Sequence, residues 1–419
     1  MDQTSCANQG SGTNGISALK FQTMNKDYQA IVVGAGPAGL AAGLAFAHLG
    51  LHAAVVGPLS DPNDGRTAAL FEGSIELLRR IGAWEILKDQ SEPLKAIRLI
   101  DATGGMLRAP EVTFWAHEIG LDAFGYNVPT GGLTVALESV AAGRLSRLPS
   151  AGVERIDIDD ARARVVTREG TVLTAPLIAG ADGRNSLARQ AAHIETQRWA
   201  YPQAAVVATF SHSRDHQGIS TELHRRCGPL TVVPMPGRAS SLVWVDTPEE
   251  AARLAALSDD AFNSALKAHV GGLLGTMRDF SPRRVFPLSG QTAMVLGRNR
   301  VGLIGESGHI IPPIGAQGLN LSLRDGATLA ELAADAAAAG KDPGAADVLA
   351  AYEAQRRRDV SARVWTIDLM NRSLLSEYLP VHLARGAGLL ALKAIGPLRH
   401  LVMREGISPS FATPRLMHS

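Results

Sequence analysis

Apolar residues follow two rhythms along this chain, short runs and helical spacing. Ala30-Ile31-Val32-Val33 and His52 to Val56 are short runs with β-branched residues, which predict buried strands. Between them, Pro37 to Leu49 is dominated by Ala and Leu and predicts a helix that Gly50 stops. No Asp, Glu, Lys or Arg occurs from Tyr28 to Ser60, and hydropathy alone would read that stretch as a membrane span. Yet Gly34, Gly36, Pro37 and Gly39 interrupt it near its start, and Gly57-Pro58 closes its second apolar run. A strand–turn–helix–strand unit buried on both faces explains the missing charges better.

Further on, Ser74 to Leu87, Leu133 to Leu145 and Asp259 to Val270 carry helical patterns, while Pro176 to Ala179 and Arg300 to Ile304 read as strands. A long Ala/Leu-rich helix is expected over Leu319 to Ala339. Gly340 and Pro343 break the chain after it, and another helix runs roughly from Ala345 to Leu369. Residues 97–115 and 205–246 show short apolar runs between turn residues, the pattern of an antiparallel sheet. No internal repeat is visible. The expected fold class is therefore α/β: a Rossmann-like nucleotide-binding domain interrupted by a mostly antiparallel β-sheet substrate domain, with a C-terminal helical segment. The expected boundaries are a mobile tail over 1–26, nucleotide-domain segments at 27–95, 125–190 and 286–370, substrate-domain segments at 96–124 and 191–285, and helices over 371–419.

Composition narrows the choice of partners. The chain has 419 residues, 46% hydrophobic and 19% charged, as in an ordinary multidomain enzyme. A net charge of +1 gives no general case for nucleic acid, which calls for a basic face. Cys6 and Cys227 cannot build a disulfide framework or a zinc site, so a reducing, cytoplasmic setting is expected. The first 26 residues lack the apolar core of a secretory signal.

Three turns carry candidate chemistry. Gly34-Ala35-Gly36-Pro37-Ala38-Gly39 joins the first strand to the first helix. Its glycines suit a tight turn, close backbone approach to a pyrophosphate, and close helix–strand packing. Flanked by a strand and an Ala-rich helix, the fingerprint has the context that a lone GxGxxG lacks. The acid that normally follows about 20 residues on is missing: the second strand ends in Val55-Val56-Gly57, and Asp61 lies beyond Pro58. Asp182-Gly183, in GADGRNS, follows the strand at Pro176–Ala179; a phosphate-and-hydroxyl site and a plain Asp-Gly turn are both open readings. Gly305-Glu306-Ser307-Gly308-His309 runs into Pro313, Gly315, Gln317, Gly318, Leu319 and Asn320 before the long helix. A carboxylate after a strand suits a sugar hydroxyl. The helix N-terminus suits the edge of a flavin ring that turns negative on reduction. His309 is either a general base or a histidine bonded within the loop.

Together the three turns resemble the class A flavoprotein aromatic hydroxylases, typified by p-hydroxybenzoate hydroxylase. ADGRNSLAR, HRRCGPLTVVPMPG, SLVWV, RVFPL and PPIGAQGLNLSLRDG are similar to the FAD hydroxylases of ubiquinone biosynthesis, over about residues 28–405. The resemblance implies FAD, held by Gly34, Gly36, Pro37, Ala38 and Gly39 at the pyrophosphate, with Arg66 of DGRTAAL, Asp182, Gly183 and Glu306 as further contacts. It implies a flavin ring lined by Pro313, Gly315, Gln317, Gly318, Leu319 and Asn320. Glu306 stands where the family usually has Asp, Gly57 replaces its ribose-binding acid, and Gly308 replaces an alanine of Gly-Asp-Ala-Ala-His.

It also implies NADPH or NADH as co-substrate, O2, and a flavin C4a-hydroperoxide that hydroxylates a hydrophobic, polyprenylated phenol. No catalytic side chain is assigned. Glu222 and His224, in the expected substrate sheet, are either a group that ionises the phenol or ordinary strand polar residues. Residues Arg372 to Ser419 hold six Lys/Arg against two Asp/Glu among Leu374, Leu375, Leu379, Leu383, Leu389, Leu390, Leu398 and Leu401. That mix fits a peripheral seat on the inner face of a membrane or in a quinone-biosynthesis complex, and equally a helix packed on its own domain. Two rival functions share the fold: a non-catalytic FAD-binding subunit and a flavin reductase. The WxWxIP of a flavin halogenase is absent, since Trp244 lies in VWVD.

Overall fold

The structure, a computed structural model, describes residues 26–418 except 60, 63, 104–109, 376–378 and 408–412. The expected mobile tail thus lies, but for Lys26, outside the described residues. Ala30–Val33 is buried along its whole length, as an uncharged β-branched run requires. It pairs in parallel with Ala53–Gly57 on one side and Leu177–Gly180 on the other. Ser146–Pro149 and Val301–Leu303 extend the parallel sheet outward, and Gly297–Arg298 closes one edge antiparallel. The register sets Val33 level with Val56 and Gly180, and Gly180 level with Leu303. The central strands therefore end in line, and ligands of such sheets bind beyond their carboxyl ends.

Helices Pro37–His48 and Gln317–Ala338 lie against each other beside this sheet. A Cβ at Gly326 would come 2.9 Å from that of Ala42, so glycine sets the closeness of the two helices. The helix expected over 74–87 is split into Glu72–Ile81 and Trp84–Leu87 by Gly82, which takes a left-handed φ of +87°. A small sheet of Val153–Ile158, Ala163–Thr167 and Val172–Ala175, joined by Lys26–Asp27, was not anticipated.

The large second sheet runs, in spatial order, His309–Ile310, Arg284–Ala293, Thr196–His212, Ala239–Asp246, Gly228–Met235, Ile219–Arg225, Ala96–Asp101 and Val112–Trp115. It is antiparallel except where Ala96–Asp101 runs parallel to Ile219–Arg225. The boundary expected at residue 286 falls inside strand Arg284–Ala293, which stays paired to the substrate sheet throughout. Helices Pro248–Ala256 and Asp259–Val270 cover one face over a core that includes Phe210, Leu242, Trp244 and Phe262. The other face turns to the nucleotide domain, where the Thr67 hydroxyl donates to Ser241 Oγ at 2.8 Å.

Helix Ala346–Leu375 leads to two further helices, Leu379–Ala394 and Gly396–Ile407. Among the described residues no helix is long and apolar enough to cross a membrane.

Candidate cofactor and active site

The glycine turn is shaped by two contacts and one gap. Gly34 has φ +111°, and a Cβ there would lie 2.2 Å from the Ala181 carbonyl oxygen. A Cβ at Gly39 would lie 2.0 Å from the Gly34 carbonyl oxygen. Gly36, the N-cap of the first helix, instead has no atom of the described residues, its chain neighbours aside, within 4 Å of such a Cβ. Pro37 and Ala38 open the helix behind it. Two glycines thus serve packing, and the third leaves open space at the positive end of a helix, where an anion is favoured. Gly57 ends the second strand against the same turn: a Cβ would sit 2.9 Å from the Ala35 nitrogen, so an acid has no room there. Arg147, paired with Glu138, donates instead to the Gly57 carbonyl at 3.0 Å.

The aligned strand ends bring the second and third turns beside the first. One Asp182 oxygen accepts from Leu187 N at 2.7 Å and Ala188 N at 3.1 Å, capping the short helix Leu187–Ala191. The other, Oδ1, is buried and meets no hydrogen-bond partner among the described residues. Burial pushes this carboxyl above the usual aspartate range, despite the bonds from Ser186 and the helix N–H groups. Gly183 follows with φ +75°. Arg189, buried although charged, donates to the carbonyls of Ser307 at 2.7 Å and Arg184 at 2.9 Å, tying the second turn to the third. Glu306 is exposed at the end of its strand. Arg66 lies near enough for the Glu306 charge to help hold its guanidinium above the usual range, after the larger effect of its 2.6 Å bond to Asp64.

The loop after Glu306 is exposed at Pro313, Gly315 and Gly318, and a Cβ at either glycine would meet no other described residue within 4 Å beyond its chain neighbours. Ala316 caps the following helix with φ +55°, a left-handed conformation that costs a non-glycine residue energy. Leu319 packs against the nucleotide-domain core. Asn320 departs from the expectation that it lines the ring. Its Oδ1 accepts from Phe71 N and Ser74 Oγ, and its Nδ2 donates to the Ala69 and Ala316 carbonyls. All four of its bonding positions are thereby filled within the protein. Gln317 accepts from Arg363 at 2.8 Å and donates towards the Gly406 carbonyl at 3.3 Å.

Beneath the loop is a buried ionic network that the sequence reading missed. His309 Nε2 meets Asp325 at 2.6 Å, and Arg356 binds both Asp325, at 2.8 Å, and Asp359, at 2.9 Å. Arg324 pairs with Asp359 at 2.5 Å, and Asp325 also accepts from Gly305 N at 3.0 Å. His309 is thus bonded within the fold. The only sequence signal for these partners was charge on otherwise apolar helices, which surface salt bridges also produce.

An apolar cluster stands over the loop. Phe71, Val112, Phe114, Phe124 and Met403 form it, with Ile97, Leu99, Leu392 and Ala316 packed against them. Ile97, Leu99, Val112 and Phe114 come from the substrate sheet, Leu392 and Met403 from the C-terminal helices, and Ala316 from the loop.

Residues 27–366 match the FAD binding domain family. The chain belongs to that family. It is similar to ubiquinone hydroxylase UbiL of Rhodospirillum rubrum, with 34% identity over 90% of this chain and 89% of that protein. It is also similar to the mitochondrial ubiquinone biosynthesis monooxygenase COQ6 of Homo sapiens, with 29% identity over 83% of each. PqsL of Pseudomonas aeruginosa, described as a probable FAD-dependent monooxygenase, shares the fold with a TM-score of 0.71 at 21% identity, over 87% of this chain and all of that one. The family and these relatives together place the chain among the FAD-dependent monooxygenases. The open space at Gly36, the unpartnered Asp182 Oδ1 and the bare glycines of the 313–318 loop fit such a cofactor.

Proposed function

We propose that this protein hydroxylates the ring of a polyprenylated phenol, a ubiquinone precursor, using NAD(P)H and O2. The observation that carries the reading is the juxtaposition of three cofactor-type turns, aligned at the ends of parallel strands, with an apolar cluster standing over the third. In this reading Gly36 and the first helix receive the pyrophosphate, Asp182 Oδ1 accepts from a cofactor hydroxyl, and Glu306 with Arg66 contacts the ribityl chain. Pro313, Gly315 and Gly318 border the ring, while Asn320 and Gln317 hold the loop in place. Bound there, FAD supplies the redox chemistry, accepting hydride from NAD(P)H and activating O2 for transfer of one oxygen atom to the ring. Phe71, Phe114, Phe124 and Met403 exclude water and seat an apolar phenol. The names of the ubiquinone hydroxylase relatives support the substrate class.

The test is direct. Purified protein loaded with FAD is given NADPH or NADH with and without a polyprenylated phenol, and cofactor oxidation and products are followed. Phenol-stimulated oxidation with a hydroxylated product is expected. A bound flavin with no phenol-dependent turnover would overturn the proposal and favour a non-catalytic subunit.

A further inference from the structure

We propose that Glu222 and His224 form the acid–base pair that ionises the substrate phenol, with His224 Nδ1 as the atom that takes the proton. The inference rests on the hydroxylase reading above and adds to it the residues that carry the proton.

The two side chains stand two apart on strand Ile219–Arg225, so they leave the same face of the sheet. Glu222 lies opposite Leu99, and His224 opposite Asp101, in the parallel pairing. Leu99 belongs to the apolar cluster that includes Ala316 of the ring-bordering loop, so the pair faces the cofactor side. On the other flank Glu222 lies opposite Thr231, and Thr231 opposite Val243, which packs with Tyr201 and Leu288. The pair is thus a polar island between two apolar clusters, 9% and 5% exposed.

His224 Nε2 and Glu222 Oε1 are 2.8 Å apart. A carboxylate so placed takes the N–H of a neutral imidazole at Nε2 and leaves the lone pair on Nδ1. Nδ1 is buried and has no hydrogen-bond partner among the described residues. An unsatisfied buried polar atom is costly, so a substrate hydroxyl that bonds to Nδ1 relieves that cost. Asp101, opposite His224 on the neighbouring strand, accepts from the Thr103 hydroxyl at 2.6 Å.

The chemistry follows from the phenol. An electrophilic oxygen attacks a phenolate ring faster than a neutral one. Moving the phenol proton to Nδ1 leaves the phenolate and an imidazolium, which the Glu222 carboxylate stabilises. As the O–O bond of the oxygen donor would break, its remaining oxygen would take up the proton that the attacked carbon loses when the ring regains aromaticity, and the imidazolium returns its proton to the phenolate oxygen. The pair ends as it began.

The experiment uses the full-length, FAD-loaded protein and the variants Glu222→Gln and His224→Asn, both close in size to the native residues. Flavin absorbance and melting temperature report that the variants are folded and loaded. Hydroxylation at saturating phenol should fall about 10²-fold or more, with KM little changed. A ring-fluorinated, more acidic phenol should recover most of that loss, which a merely structural defect would not allow. As a second readout, 2-prenyl-4-nitrophenol should bind to the native protein as its yellow phenolate at a pH where it is neutral in water, and to either variant uncoloured. Native rates in both variants, or identical ionisation of the nitrophenol in all three proteins, would overturn the assignment. Absence of any phenol hydroxylation by the native protein would instead defeat the hydroxylase reading, with the nitrophenol colour still reporting on the pair.

Discussion

At Gly36 a single methyl group separates folding from cofactor binding. Nothing in the protein opposes a Cβ there, so Gly36→Ala should change stability by no more than about 1 kcal/mol while weakening FAD binding by about 10- to 100-fold, read by flavin fluorescence titration. Gly39→Ala should do the reverse and unfold the turn, since its Cβ would fall 2.0 Å from a carbonyl oxygen. Asp182 offers a second separation. Its folded-state pKa is raised by burial, so the native state holds its proton longer than the unfolded chain does. Stability from this group therefore falls as pH rises from the ordinary aspartate range through the raised value. Asp182→Asn should remove that slope, leaving the cofactor-free protein at least as stable at neutral pH in thermal melts, yet binding FAD about tenfold or more weakly. Such glycines were legible in sequence because a backbone constraint admits few residue types, whereas the sequence left Asp182 open between a ligand contact and a plain turn. Asn320 was legible as important but not in its role. Whether an amide reaches outward or inward is decided by Phe71, Ser74 and Ala69, some 250 positions away in sequence.

Among the elements, the long helix Gln317–Ala338 matters most, because its first turn follows the loop proposed to border the ring and its body is held by Ala346–Leu375. The hold is ionic: Asp325 and Arg324 on one helix, Arg356 and Asp359 on the other. Burial alone would raise the Asp325 pKa, but His309 and Arg356 bring it below the usual range. A carboxylate depressed in this way contributes stability above the ordinary aspartate range, lost as pH falls through its folded-state value. Asp325→Asn should cost about 3–5 kcal/mol at neutral pH, because Arg356 is left with an incomplete partner. Urea midpoints at about pH 7 and about pH 3 should show the gap closing in acid. A constant gap would mean that the network is held by packing instead. Hydrophobic rhythm revealed both helices and the first βαβ unit to within a few residues. It did not reveal the network, nor the small sheet at 153–175, whose strands alternate too weakly to stand out from a loop.

At the scale of the whole molecule, the polyprenyl tail of the proposed substrate calls for a way from a bilayer to the apolar cluster, and the C-terminal helices adjoin that cluster through Leu392 and Met403. Their inner side is spoken for: Met403 is buried in the apolar cluster, and Arg399 binds Glu118 at 2.5 Å while standing 4.5 Å over the Phe114 ring. Arg363 holds the Glu405 and Gly406 carbonyls at 2.9 Å. The outer side is apolar and bare, with Leu390, Ile395, Leu398, Leu401 and Val402 exposed beside Arg404 and Lys393. The sequence pattern had grouped all its leucines into one amphipathic face. Leu374 is in fact buried, and the side chains of Leu379, Leu383 and Leu389 lie outside those described. Such a surface has the composition of an interfacial helix, for which apolar burial and attraction to anionic lipid act together. The expected outcome is co-sedimentation with phosphatidylcholine vesicles containing about a third phosphatidylglycerol, weakened by added salt. Leu401→Asp combined with Val402→Asp should release the protein from these vesicles while leaving its melting temperature and FAD affinity unchanged, since exposed positions contribute little to folding. With detergent-dispersed phenol that variant should turn over normally, and with vesicle-borne phenol it should be slow. Equal rates from both sources would show that the substrate reaches the site by another face.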